Sequence, residues 1–165
     1  MQILETPRLI VRRWTAADAD SLHSICSDPE VMRYVGDGAP WNRERTRQFI
    51  EDAVATEQTH GYCRWPLVAK DTGLLVGFCG FIPTEEGAEM GWRLASQFWG
   101  RGLANEAAQA VLKFGADSLG FRRITATVHC ENRASLRVAE KLGMSVDTRK
   151  ELSNRVVLSW KGNAR

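Results

Sequence analysis

The sequence predicts a single α/β (α+β) domain built around a mixed, mostly antiparallel sheet. Strand-like and helix-like segments alternate along the whole chain, and no repeat, linker or change of composition divides them. A chain of 165 residues can bury roughly two-thirds of the surface that its unfolded form exposes. We therefore expect one domain, residues 1–165, with about six or seven strands and about four helices.

The first third of the chain predicts one strand and two helices. Residues 8–14 combine β-branched and apolar side chains, which is typical of a strand. Thr15 can cap a polar helix whose spacing continues to Asp28. After a loop at residues 36–40 that contains glycine and proline, a second helix is predicted over residues 43–58.

The middle of the chain predicts a hairpin, a further strand and a long helix. Apolar runs at residues 65–69 and 74–82 flank Lys70-Asp71-Thr72-Gly73, a turn sequence that suits antiparallel strands. Residues 88–94 alternate between apolar and other side chains, as a half-buried strand does. Apolar residues between 103 and 114 recur every three or four positions, which predicts an amphipathic helix.

The last third predicts a strand, a short helix and closing strands. Residues 124–128 have the β-branched composition of a strand. Leu136, Ala139 and Leu142 mark one side of a helix that ends at Gly143. Residues 156–160 form a final apolar run.

The charges of the chain give no sign of nucleic-acid binding. Lysine and arginine number 22 and aspartate and glutamate 20, a formal net charge of +2, without a long run of like charge. A nucleic-acid-binding domain needs a basic face. We therefore expect no nucleic-acid partner.

The cysteines and the N-terminus predict a reduced, cytoplasmic protein without membrane association. The four cysteines stand singly, without the paired spacing of a zinc site or a disulfide framework, so we expect no metal. The first residues lack the basic and apolar regions of a signal peptide, and no apolar run reaches about 18 residues.

A glycine-containing turn before the long helix is the strongest functional signal. Gly100 and Gly102 let the backbone turn tightly and approach a ligand, and the helix that follows presents about four unpaired N–H groups. These groups, the helix dipole and the Arg101 charge favour an anion such as a pyrophosphate. The alternative is that the two glycines only shape a turn between a strand and a helix.

Three segments, in this order, resemble the GNAT family of N-acetyltransferases, and most closely its ribosomal-protein-alanine acetyltransferase branch. They are residues 5–12 (ETPRLIVR), residues 89–107, which include WGRGLANEA, and residues 132–144 (NRASLRVAEKLGM). Linked motifs in the right order are more specific than any one alone. The resemblance implies a splayed sheet in which acetyl-CoA lies between two parallel strands that part.

The resemblance also implies where acetyl-CoA, as co-substrate, would bind. Its pyrophosphate would lie on the glycine turn, and its pantetheine arm would pair with the backbone of the strand before that turn. Asn132 would bond the arm, although an N-cap of its own helix is an equal and compatible role. Arg137 would reach the 3′-phosphate; the alternative is a solvated charge on an exposed helix. The residues implied for acetyl-CoA are Trp92, Arg93, Leu94, Trp99, Gly100, Arg101, Gly102, Leu103, Ala104, Asn132 and Arg137.

Two residues are candidates for the proton transfers of acetylation. The amine must lose a proton before it attacks, and the departing thiolate must gain one. Glu89 lies where the family places a carboxylate that acts as a base or orders water; the alternative is a surface charge on an edge strand. Many members use a tyrosine as the acid, and Ala139 stands at that position here. The acid role would then pass to Ser135 or to a water, unless Ser135 is only a local backbone partner.

The acceptor is expected to be a primary amine, a protein N-terminal α-amine or a small-molecule amine, acetylated directly in a ternary complex. The resemblance places acceptor contacts between the first two helices, where Tyr34, Asp37 and Trp41 are the candidates. Neutralising an amine at pH 7 costs about 4.6 kcal/mol for lysine and about 1 kcal/mol for an α-amine, which mildly favours the latter. The alternative function is a non-catalytic acyl-CoA-binding or sensing module, and the chain is expected to be a monomer or a homodimer.

Overall fold

An eight-stranded sheet organises the fold in the computed structural model, which describes residues 1–162 and the side chains of all of these except 149–152. The strands are β1 Gln2–Glu5, β2 Leu9–Arg12, β3 Arg64–Ala69, β4 Leu75–Thr84, β5 Gly87–Leu94, β6 Arg123–His129, β7 Ser145–Leu152 and β8 Arg155–Lys161. The helices are α1 Ala19–Cys26, α2 Pro29–Met32, α3 Arg43–His60, α4 Leu103–Asp117 and α5 Arg133–Lys141, with 3-10 turns at Ala16–Asp18 and Ser96–Phe98. Within residues 1–162, no helix has the length and apolar character to cross a bilayer.

The sheet is antiparallel except at its centre. Its strand order is β1-β2-β3-β4-β5-β6-β8-β7, and only β5 and β6 run parallel. These two strands pair through Ala88 with Ile124 and Glu89 with Thr125. Over the rest of residues 87–129 they share no pairing, although β5 continues to Leu94 and β6 to His129. The sheet is therefore split between β5 and β6.

Helices cover both faces of the sheet and create two parts of the core. On one face α4 packs on β4 and β5, where the fully buried Phe81 meets Trp65 and Phe121 edge-on. On the other face the Phe49 ring of α3 lies 4.8 Å from that of Phe78. Since alternate residues of a strand face opposite sides, Phe78 and Phe81 anchor the two layers from a single strand.

The structure confirms the predicted fold class and adds strands to the predicted sheet. The hairpin, the long helix and the central strands lie within a few residues of their predicted positions. The sheet has eight strands rather than about six or seven, because β1 and β7 are edge strands with weak apolar patterns. Thr15 begins a 3-10 turn, in which its N–H and hydroxyl donate to the Asp18 carboxylate at 2.8 and 3.0 Å.

We predict that Gly115→Ala destabilises the protein although alanine is the better helix former. A Cβ at Gly115 would lie 2.6 Å from Cζ of Phe81, which is fully buried and cannot move aside. Overpacking of this kind costs about 2–3 kcal/mol, and the helix propensity of alanine returns about 1 kcal/mol, which leaves a net loss of about 1–2 kcal/mol. Thermal unfolding should show a midpoint lowered by roughly 2–8 °C. A raised midpoint would mean that α4 does not need close contact with Phe81.

Candidate active site

The N-terminus of α4 is a cluster of free backbone donors. Gly100 and Gly102 both have left-handed backbones, with φ of 73° and 75°, and Gly102 is the N-cap. The first hydrogen bond of the helix runs from Glu106 N–H to Gly102 C=O. In the part of the chain that the structure describes, the N–H groups of residues 100–105 have no acceptor. This arrangement is suited to bind an anion.

The carboxylate of Glu106 fixes this helix start to the N-terminal hairpin. It accepts hydrogen bonds from Thr6 Oγ1 at 2.6 Å, from Arg8 N–H at 2.9 Å and from Arg8 Nε at 2.7 Å. Arg8 also donates to the Arg101 carbonyl at 2.8 Å, inside the glycine turn. Burial alone would raise the pKa of Glu106, but the bonds from Thr6 and Arg8 outweigh it and hold the pKa below its usual value. About a hundred residues separate Glu106 from Thr6 and Arg8, so no local motif in the sequence indicates this link.

Beyond its pairing with β6, β5 presents an open backbone edge. Ala95 N–H donates to Val76 C=O, and hydrogen-bonded positions alternate along an antiparallel ladder. The N–H and C=O groups of Trp92 and Leu94 therefore point away from β4, into the split of the sheet. Trp99 Nε1 donates to the Leu94 carbonyl at 2.9 Å, so the side chain of Trp99 occupies one of these groups.

A cleft of about 160 Å³ lies in the split and under the loop that follows α2. Glu89 faces it with a side chain that is 26% exposed. Thr127 Oγ1 donates to Glu89 Oε2 at 2.9 Å, and Arg64 Nη2 lies 3.3 Å from Oε1. Glu89 is therefore not a free charge on an edge strand but an oriented group on an inner strand.

Two glycines make room for the arginine beside Glu89. Arg64 pairs with Gly80 across β3 and β4, and Gly80 pairs with Gly91 across β4 and β5. A Cβ on Gly91 would lie 2.7 Å from the Arg64 guanidinium. Burial lowers the pKa of Arg64, and the nearby Glu89 carboxylate opposes this change. The glycine at position 91 thus allows the partly buried Arg64 to reach the cleft.

The start of α5 forms another side of the cleft. Asn132 is the N-cap, and its Oδ1 accepts a hydrogen bond from Ser135 N–H at 3.1 Å. Both side chains line the cleft, so Glu89, Asn132 and Ser135 all border the same space. The cap does not exclude a second role for Asn132, because its amide nitrogen has no hydrogen-bond partner among the described residues.

The loop wall of the cleft is held by residues that the sequence reasoning missed. The Tyr34 ring lies 5.0 Å from that of His129, at the end of β6. Arg155, the first residue of β8, donates to the carbonyls of Tyr34 at 3.3 Å and Gly36 at 2.8 Å. Nothing in the local sequence relates Arg155 to a loop more than a hundred residues earlier, so only the sheet order could have revealed it.

The family follows from similarity to known proteins. Residues 8–145 match the family described as acetyltransferase (GNAT) domain. This chain belongs to the GNAT acetyltransferase family. It is 35% identical to the uncharacterized N-acetyltransferase YoaA of Bacillus subtilis (strain 168) over 144 residues, 86% of this chain and 81% of the relative. A crystal structure of an acetyltransferase from Agrobacterium tumefaciens str. C58 has a TM-score of 0.86 at 25% identity, and the match covers 98% of this chain and 95% of that one.

A ribosomal-protein acetyltransferase shares the fold. The structure of RimL, a ribosomal L7/L12 alpha-N-protein acetyltransferase in complex with coenzyme A, has a TM-score of 0.78 at 18% identity, with 98% of each chain covered. At this identity the likeness concerns the fold alone. The predicted membership of the GNAT family is confirmed, and the predicted ribosomal branch stays a prediction.

Several residues carried over from the GNAT pattern lie away from the cleft. Asp37 is exposed, and its Oδ1 accepts from Ala39 N–H at 3.0 Å. Trp41 packs against Phe49 at 5.3 Å and, with Asp37, borders a neighbouring depression. Arg137 is exposed on α5 and does not line the cleft. Of the predicted acceptor residues, Tyr34 alone borders the same cleft as Glu89.

We predict that Glu106→Gln destabilises this GNAT domain at neutral pH and not in acid. The folded-state pKa of Glu106 is lowered, so its contribution is fully present above the unfolded value of about 4.3 and is lost as the pH falls through the folded value. Hydrogen bonds to a charged group of this kind stabilise by about 1–3 kcal/mol. Urea unfolding of both proteins at pH 7 and near pH 3 measures the difference. A gap that is the same at both pH values would contradict the stabilising role of the charge.

Proposed function

We propose that this GNAT enzyme transfers the acetyl group of acetyl-CoA directly to a primary amine in a ternary complex. One observation carries the proposal: the open edge of β5 and the cleft with Glu89 lie in the split between β5 and β6, and the free donors at residues 100–105 follow β5 within a few residues along the chain. This region thus combines three features: the free N–H groups of residues 100–105, which we call the anion seat, an extended backbone edge and an oriented carboxylate. These are the three features that a long acyl carrier with phosphates at one end requires.

The residues present fit acetyl-CoA. The N–H groups of residues 100–105 would hold its pyrophosphate, beside the charges of Arg8 and Arg101. The backbone of Trp92 and the N–H of Leu94 would pair with the pantetheine arm, and Asn132 has an amide group in reach of the cleft. Acetyl-CoA supplies the activated acetyl group when it is bound.

Glu89 and Ser135 would carry out the two proton transfers, from the amine and to the thiolate. An amine attacks only in its neutral form, and Glu89, held by Thr127 and Arg64, would accept its proton directly or through a water. Ser135 lines the same cleft and would protonate the departing thiolate. Ala139 is fully buried, so the position of the family's tyrosine offers no hydroxyl to the cleft.

The acceptor amine is a protein N-terminal α-amine or a small molecule. Neutralising an α-amine at pH 7 costs about 1 kcal/mol, whereas neutralising a lysine amine costs about 4.6 kcal/mol. A single carboxylate can therefore deprotonate an α-amine more readily than a lysine. The small cleft supports a chain end or a small compound as acceptor, because pockets for drug-sized ligands usually exceed about 300 Å³. If the chain belongs to the ribosomal-protein-alanine branch, the N-terminus of a ribosomal protein would be such a chain end.

We predict that acetyl-CoA stabilises the protein and that Gly102→Glu abolishes this effect. At 100 times its Kd a ligand adds about 2.7 kcal/mol, which should raise the thermal midpoint by roughly 5–10 °C. The new side chain would bring a carboxylate into the anion seat. Gly120→Glu is the matched control, because Gly120 has the same left-handed backbone, with φ of 73°, beyond the other end of α4. An undiminished shift in folded Gly102→Glu would exclude this seat.

We predict that Glu89→Gln flattens the increase of the acetylation rate with pH and leaves acetyl-CoA binding intact. The amide keeps the size of the side chain but cannot accept the amine proton. Thiol release, followed between pH 6 and about pH 9 with an N-terminal peptide or a small amine, measures the profile. Glu85→Gln, in the exposed turn between β4 and β5, is the control. Equal profiles for wild type and Glu89→Gln would remove Glu89 from the chemistry.

A further inference from the structure

The lining of the cleft has more basic than acidic side chains. Three arginines, Arg64, Arg93 and Arg155, border it together with one carboxylate, Glu89. Three positive charges against one negative charge leave an excess of two positive charges. An acceptor with a cationic body would be repelled from such a cleft, and an anionic one attracted.

Arg93 is the least compensated of the three. Its guanidinium lies over the rings of Trp41 and Phe78, with centroids at 4.6 and 4.9 Å, and Nη1 contacts Sγ of Cys26 at 3.3 Å. Its Nε is buried and has no partner among the described residues. Burial lowers the pKa of Arg93. A thiol and two rings orient this cation without neutralising it, although a buried unpaired charge is costly.

The other two arginines leave the excess in place. Arg64 contacts Glu89 through one nitrogen at 3.3 Å, which is not a two-pronged pair, and its buried Nε has no partner in the described part of the chain. Arg155 donates to two backbone carbonyls, which are neutral. The cleft therefore has more guanidinium charge than its own acid can balance.

We propose that the acceptor carries a carboxylate close to its amine, and that Arg93 with Arg64 binds this carboxylate while Glu89 faces the amine. This inference rests on the proposed function and names the class of its acceptor. The planar fork of arginine matches a carboxylate, and an anion in the cleft would balance the excess charge. Cations near an amine also favour its neutral, reactive form, so the same arginines assist the attack.

Two sources supply such an acceptor: a free amino acid, whose own carboxylate adjoins its amine, and a peptide whose first residue is acidic. The experiment therefore uses two matched pairs: alanine against alaninamide, and tetrapeptides that begin with aspartate against tetrapeptides that begin with asparagine. In each pair the first is the acidic member. Each pair differs in one carboxylate. We expect kcat/KM for thiol release from acetyl-CoA to be at least about tenfold higher for the acidic member of one pair or both, and the preference to shrink as salt is added. The pair that shows the preference identifies the source.

The variant Arg93→Met tests the residue. We expect it to reduce the ratio of kcat/KM values, acidic over neutral, towards one, mainly through KM, and Arg93→Lys to retain part of the preference. Arg45→Met is the matched control, because Arg45 also lies over the Trp41 ring, at 5.1 Å, but is exposed and does not line the cleft. The control should keep the wild-type ratio. The acetyl-CoA melting shift reports whether each variant is folded.

The wild-type panel alone can overturn the inference, even where Arg93→Met does not fold. Equal values within both pairs, or faster turnover of a linear polyamine than of either acidic acceptor, would show that Arg93 and Arg64 do not bind an acceptor carboxylate. Those results would leave the proposed function standing. Absence of thiol release with every amine, together with no acetyl-CoA melting shift, would overturn the proposed function itself.

Discussion

The parting of β5 from β6 is the constraint on which the site depends. Each strand is held along its length by its outer neighbour, β5 by β4 and β6 by β8, so neither can move across to close the gap. The backbone groups of Trp92 and Leu94, which point away from β4, consequently face no strand, and buried backbone groups require partners. The centre of the sheet therefore has backbone N–H and C=O groups without a strand partner. An extended ligand arm that contains amides can form hydrogen bonds with them.

The anion seat depends on contacts that are distant in sequence. The glycine turn alone would leave the first turn of α4 free to shift, but Glu106 ties it to Thr6 and Arg8 of the N-terminal hairpin. The carboxylate therefore fixes where the free N–H groups point, and Arg8 bonds to the carbonyl of Arg101 on the opposite side of the turn. The hydrogen bonds of one carboxylate thus hold a glycine-containing turn in place, as preorganised binding requires.

Local patterns in the sequence were sufficient for the central fold and for part of the site. The spacing of apolar residues located α4 and β5, and the glycine turn located the free donors, because these features are encoded within a few residues. The strands β1 and β7 were not predicted, because edge strands need little apolar patterning. Arg64 and Arg155 were not predicted as cleft residues, and Arg93 was predicted only for its backbone, for a different reason. An arginine looks the same in sequence whether it is solvated or lies beside Glu89, and only the register of Arg64 with Gly80 and Gly91 separates the two cases.

Direct transfer between two bound substrates demands that the reacting atoms be held about 3–3.5 Å apart. Hydrogen bonds hold the walls of the cleft in position, as this short distance requires. Thr127 and Arg64 orient Glu89, the Asn132 cap fixes the turn that carries Ser135, and Arg155 binds the carbonyls of the loop that carries Tyr34. Arg155 starts β8, which pairs with β6, so the loop is joined to the same central strand that supplies Thr127. The loop that carries Tyr34 and the strand that carries Thr127 are thus linked through β8, which would keep the two substrates of the proposed direct transfer in fixed relative positions.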